Sequence, residues 1–107
     1  MKLLLDTHAV LWFWWDDSRL SADAKAAMRD PANQKIVSWA TPWEVAIKVS
    51  LQKLNIGGPF RGFFPSQMLR SYFEWLSFSD EHFATLSALP FHHKDPFDRL
   101  LAAQTLC

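Results

Sequence analysis

The chain has a single cysteine, Cys107 at its last position, so no intramolecular disulfide can form. That fits a reducing compartment, where thiols stay free. Neither sign of charge is in excess: eleven basic and eleven acidic residues leave a formal net charge of zero. A protein that grips nucleic acid by charge alone is normally basic. Any RNA or DNA partner must therefore be held by a local patch or through bound cations. Long apolar runs are missing as well. The stretch from Ala9 to Trp15 falls far short of the ~20 residues a spanning helix needs. Lys2 and the leucines behind it resemble the start of a signal peptide, but Asp6 and His8 interrupt the run and no small-residue cleavage site follows closely. These absences predict a soluble, cytoplasmic chain with no membrane partner.

Several kinds of site are also missing. Gly57-Gly58 is not a phosphate loop, because the lysine and the serine or threonine that should follow at fixed spacing are absent. There is no G-x-S-x-G elbow for a Ser-His-Asp hydrolase. His92 and His93 are adjacent, lack a cysteine partner and have no histidine four residues away, which argues against zinc. His8 reads as a packing or hydrogen-bonding residue.

What is present is apolar and aromatic. Half of the 107 residues are hydrophobic, including six tryptophans and nine phenylalanines. That is enough for one packed domain spanning 1–107. So many rings in so short a chain predict that some lie exposed, as at an interface.

Lys2-Leu3-Leu4-Leu5-Asp6 reads as a short strand buried on both faces, as in the middle of a parallel sheet. Thr7 is positioned to cap a helix from His8 to about Trp15, apolar on nearly every side. Asp16-Asp17-Ser18 stops it. Ser21 caps an alanine-rich helix that runs to Asp30, where Pro31 ends it. Lys35 to Trp39 is the second strand. Thr41-Pro42-Trp43-Glu44 then has the form of a capping box, opening a helix to about Leu54 with Trp43, Ala46, Ile47, Leu51 and Leu54 as its apolar face. After a break at Asn55 to Pro59, a short helix falls within Phe60 to Tyr72, and Phe73 to Phe78 suits a third strand. Ser79 caps a helix through about Leu89, and a last helix spans Pro96 to Leu106. The order β-α-α-β-α-α-β-α-α predicts an α/β fold with a short parallel sheet between helices. Three strands make a thin sheet, and one strand is expected to have an open side.

In such sheets the ligand crevice lies beyond the carboxyl ends of the strands. Three carboxylates fall at that edge: Asp6 after the first strand, Glu44 after the second, and Asp98 at the start of the last helix, with Asp95 beside it. Clustered buried carboxylates repel one another unless cations enter. Hard oxygen ligands suit Mg²⁺ or Mn²⁺. The chemistry this favours is metal-assisted hydrolysis of a phosphodiester. Each residue also has a structural reading. Asp6 can be an N-cap, Glu44 the glutamate of a capping box paired with Lys48, Asp95 a cap before Pro96, and Asp98 a first-turn acid facing the helix dipole.

Leu3-Leu4-Leu5-Asp6-Thr7-His8, Trp43-Glu44-Val45-Ala46-Ile47-Lys48 and His92-His93-Lys94-Asp95-Pro96-Phe97-Asp98-Arg99-Leu100-Leu101-Ala102-Ala103-Gln104 together resemble a PIN-domain protein, and more narrowly the VapC-type toxins of bacterial toxin–antitoxin pairs. The resemblance runs through essentially the whole chain in order and spacing. It implies a three-layer PIN-like sandwich and a Mg²⁺- or Mn²⁺-dependent endoribonuclease, inhibited by an antitoxin encoded beside it. The family's acidic residues carry over onto Asp6, Glu44 and Asp98. Asp6 and Asp98 would bind the metal directly or through water, and Glu44 would hold metal-bound water. The resemblance places Asp95 and Thr7 behind these ligands, and Arg99 and Lys48 as phosphate contacts. The aromatic first helix, with Trp12 and Trp15, would suit an antitoxin groove, a homodimer face or ordinary core.

Family members normally continue past this point with a further strand and another acidic residue, so this chain is expected to be C-terminally truncated. Two functions follow as expectations. One is an active ribonuclease acting as a toxin. The other is a non-catalytic remnant that binds an antitoxin or a second copy of itself. A phosphatase with Asp6 as nucleophile fits poorly, because His8 stands where such enzymes place a second aspartate.

Overall fold

The computed structural model of the chain describes residues 1–89 and 103–104. Three strands, β1 (Lys2–Leu5), β2 (Gln34–Ser38) and β3 (Glu74–Leu76), form one sheet in the order β1-β2-β3. Both pairings are parallel, with Leu5 opposite Val37 and Val37 opposite Trp75. Among the described residues five helices accompany them: α1 (Thr7–Trp14), α2 (Ala22–Arg29), α3 (Ala40–Ser50), α4 (Phe63–Ser71) and α5 (Asp80–Ala88). The fold is therefore α/β around a parallel sheet, as the alternating pattern predicts. No helix among the described residues is long and apolar enough to cross a membrane.

Among the described residues, the two faces of the sheet are unequally covered. Leu5, Val37 and Phe73 pack with Val10 of α1, Leu20, Met28 of α2 and Met68 of α4 in one buried cluster. A second cluster joins Leu11 of α1, Val45 of α3, Ile56 and Phe64 of α4. Alternation along the strands turns Leu4, Ile36 and Leu76 to the opposite face, where all three are half-buried. There Gln104, which is buried, approaches Nδ1 of His82 on α5 to 3.4 Å. Its Oε1 is buried with no hydrogen-bond partner among the described residues. Among the described residues β1 pairs only with β2.

Most helix starts follow their capping residues. Ser21 Oγ accepts from the backbone N–H of Ala24, and Ser79 Oγ from that of His82. His82 returns the bond, its Nδ1 accepting from the Ser79 N–H at 3.1 Å and completing a capping box on α5.

Three expectations need correction. Asp6, not Thr7, caps α1: its Oδ1 accepts from the Ala9 N–H at 2.7 Å, so the helix begins one residue early and draws Thr7 into its first turn. Thr41 and Glu44 form no capping box. Helix α3 begins at Ala40 after Trp39, which makes no side-chain cap, and both side chains bond elsewhere. Ser38 Oγ instead accepts from the Ala40 N–H at 3.0 Å. The helix also ends at Ser50 rather than near Leu54.

The third correction concerns which side of α3 is buried. Thr41, Glu44 and Val45 face inward, whereas Trp43 is 54%, Ile47 37% and Leu51 56% exposed. Successive helical residues are about 100° apart, so Thr41 and Val45 lie on a different flank of the helix from Trp43 and Ile47, and the structure buries the first flank. It buries the side whose polar groups find partners on α1 and whose valine fills the second cluster.

Candidate functional site

The carboxyl ends of β1 and β2 lie side by side, because Leu5 is in register with Val37. Asp6 leaves β1 there, and α3 begins at Ala40, three residues after Val37. The two segments are joined by buried polar side chains. Thr7 Oγ1 donates to Glu44 Oε1 at 2.8 Å and lies 3.2 Å from Thr41 Oγ1. A hydroxyl has one proton. As the Thr7 proton goes to the carboxylate, Thr41 is the donor to Thr7. The order Thr41 to Thr7 to Glu44 thus fixes the direction of the chain of bonds.

Glu44 is 3% exposed. A carboxylate so deeply buried is costly unless paired. Lys48, one turn further along α3, meets its second oxygen at 2.6 Å and reaches the surface with 36% of its side chain exposed. The pairing of Glu44 with Lys48 predicted from their spacing is therefore present, but it balances a buried charge rather than decorating a solvated helix face. Asp6 differs in every respect. It is exposed, and one oxygen is engaged by the Ala9 N–H.

The structure brings together Asp6, Thr7, Glu44 and Lys48 of the predicted site residues. Asp95, Asp98 and Arg99 lie outside the described residues, as do His92 and His93. Among the described residues no group of three or more histidine, cysteine, aspartate or glutamate side chains is placed to hold a metal ion. The chemistry of the donors nevertheless fits a hard cation. Asp6 and Glu44 offer oxygen donors at one sheet edge, and each carboxylate has lone pairs beyond those used by its protein partners.

Thr41 is the functional candidate that sequence reasoning missed. Its position before Pro42 suggested a cap, and only the packing of α3 on α1 reveals its link to Thr7. The aromatic residues of α1 resolve mainly as core. Trp14 packs against Phe63, Phe64 and Phe73 and donates its Nε1–H to Ser71 Oγ at 3.1 Å. Trp12 is half-buried under the Arg19 guanidinium, 5.1 Å from its ring centre, and Trp15 is exposed at the end of the helix. The more exposed indoles are Trp39 and Trp43, beside the candidate site.

Comparison of the chain with protein-family models, curated proteins and solved structures finds no match.

Proposed function

We propose that this chain is a PIN-like, VapC-type endoribonuclease that hydrolyses RNA phosphodiesters with Mg²⁺ or Mn²⁺ and serves as the toxin of a toxin–antitoxin pair. The observation that carries the reading is the buried Thr41–Thr7–Glu44–Lys48 chain at the carboxyl edge of a parallel sheet. An α/β protein places ligands at this edge. A buried, hydrogen-bonded acid at the cost of an exposed tryptophan is also the kind of local conflict that functional sites retain.

Asp6 and Glu44 would hold the cation, with Asp98, outside the described residues, as the third carboxylate. When bound, the cation would activate a water and offset negative charge developing on the phosphate. The protein's own contribution is orientation. Thr7 fixes Oε1 of Glu44, Thr41 fixes the Thr7 hydroxyl, and the capping bond to Ala9 leaves the second oxygen of Asp6 available. Lys48 balances Glu44 from a partly exposed position and is a phosphate contact on this reading. Arg99 is a second phosphate contact on this reading, and Asp95 supports the ligands.

A specific observation favours a second reading, a remnant that binds an antitoxin or another copy of the chain without cleaving RNA. Trp43, Ile47 and Leu51 leave an apolar stripe exposed along and just beyond α3, a surface a partner could cover. RNA cleavage by the purified 107-residue chain separates the two readings, run with Mg²⁺, with Mn²⁺ and with EDTA beside Asp6→Asn. Metal-dependent cleavage lost in Asp6→Asn supports the ribonuclease. A folded chain that cleaves nothing under any condition overturns it and leaves the binding reading.

A further inference from the structure

We propose that Trp39 is a stacking platform for a base of single-stranded RNA, positioning the substrate at the carboxylate edge. The inference rests on the ribonuclease reading and names how its substrate is held.

Trp39 follows the last residue of β2 and is held there by its backbone. Its N–H donates to the Leu76 carbonyl at the end of β3, at 3.1 Å. The next residue is fixed in turn, as the Ala40 N–H donates to Ser38 Oγ. The indole lies nearly flat on that of Trp75, with ring centres 4.1 Å apart and planes 9° from parallel. Trp75 is half-buried against both core clusters, so the inner plate of the stack is anchored. The outer plate is not covered to the same degree: Trp39 remains 45% exposed. A ring with one face on Trp75 and nearly half its surface open presents its other face to solvent.

The placement gives this face a use. Trp39 is two residues from Thr41, whose hydroxyl meets Thr7, and five from Glu44. Trp43, one helical turn on, continues the exposed aromatic surface along α3. A rigid, flat ring selects a planar ligand, and every nucleobase has such a face, so the grip is tolerant of sequence. Bases in a duplex are already stacked on one another, which restricts this contact to unpaired RNA. A chain with no net charge also needs such an uncharged contact, because it lacks the electrostatic excess that usually holds nucleic acid.

The test is binding measured by fluorescence anisotropy in EDTA, so that no cleavage intervenes. The probe is a labelled single-stranded RNA of about ten nucleotides, compared with the same backbone made abasic. Wild-type chain is expected to bind the RNA more tightly than the abasic strand by about five- to a hundredfold. Trp39→Ala should lose that margin, Trp39→Phe should keep most of it, and Leu69→Ala, on an exposed site of α4, should leave it unchanged. Equal binding of abasic and normal RNA by the wild-type chain overturns the proposal and requires no variant to fold. Failure of the wild-type chain to bind either strand overturns it too. So does a Trp39→Ala chain that binds as wild type, or one altered only in self-association. Cleavage is scored separately: base-dependent binding through Trp39 without metal-dependent cleavage sinks the ribonuclease and leaves the platform. Metal-dependent cleavage without any Trp39 effect does the reverse.

Discussion

The Thr7 hydroxyl donates to Glu44 Oε1 over 2.8 Å, linking the first turn of α1 to α3 across 37 residues of sequence. Both groups are buried, Thr7 at 5% and Glu44 at 3% exposure. Removing one partner of such a bond costs more than the bond is worth, because the remaining group keeps its desolvation penalty. Thr7→Val preserves the shape and removes the hydroxyl, stranding both Glu44 Oε1 and the Thr41 proton. It should destabilise the chain by about 1–3 kcal/mol in urea unfolding. Thr7→Ser keeps the bond and loses only a methyl group, worth about 1 kcal/mol. A Thr7→Val chain as stable as wild type would show that this bond contributes nothing to holding α3 on α1.

Asp6 combines two tasks that different substitutions separate. Its Oδ1 caps α1 through the Ala9 N–H, and its charge would contribute to a cation site. Asparagine caps as well as aspartate, whereas alanine does not. Asp6→Asn should therefore unfold at the wild-type denaturant midpoint, while Asp6→Ala should lose about 0.5–2 kcal/mol. Any stabilisation by millimolar Mg²⁺ should vanish in both. Mg²⁺ stabilisation that persists in Asp6→Asn would remove Asp6 from the ligand set.

At the surface, Asp17 supplies the pH dependence. Arg19 donates to both of its carboxylate oxygens, and the Arg19 backbone N–H donates to one of them. These bonds lower its pKa from the usual 3.8 to about 2. Asp16, bonded to Lys25, is shifted in the same direction. A depressed folded-state value means that the stabilising contribution is present above about pH 4 and is lost as the pH falls toward 2. Both pairs lie at the surface, so salt should weaken the effect. Carboxyl titration by NMR should place Asp17 near 2, and Arg19→Ala should return it toward 3.8. An Asp17 titration unchanged by Arg19→Ala would rule out the guanidinium as the cause.

The parts of the fold legible in the sequence are those governed by local rules. Three leucines between Lys2 and Asp6 specify β1, Ser21 and Pro31 bracket α2, and Ser79 opens α5. The boundaries moved where two local signals competed. Asp6 and Thr7 are both good caps, and the bond that Thr7 makes to Glu44, invisible in one dimension, leaves the cap to Asp6. Thr41-Pro42-Trp43-Glu44 satisfies every rule for a capping box, yet both polar side chains are used in tertiary bonds. The candidate site was legible as residue types at one sheet edge. Its internal order was not, because it depends on the rotation of α3.

That rotation makes a sharp prediction. Hydrophobic spacing alone would bury Trp43, Ile47 and Leu51, so truncating Leu51 should open a cavity and cost about 2–5 kcal/mol. In the structure Leu51 is 56% exposed and Val45 is wholly buried against Leu11, Ile56 and Phe64. Leu51→Ala should therefore change stability by less than ~0.5 kcal/mol, as surface substitutions do. Val45→Ala removes the equivalent of two methylene groups from the second cluster, at about 0.8 kcal/mol each before any cavity term. Urea midpoints for the pair decide between the two orientations. The order Val45→Ala far below Leu51→Ala places the Thr41–Val45 flank of the helix inward, as in the structure. The reverse order would place the Trp43–Ile47–Leu51 stripe inward and overturn the observed burial of Val45.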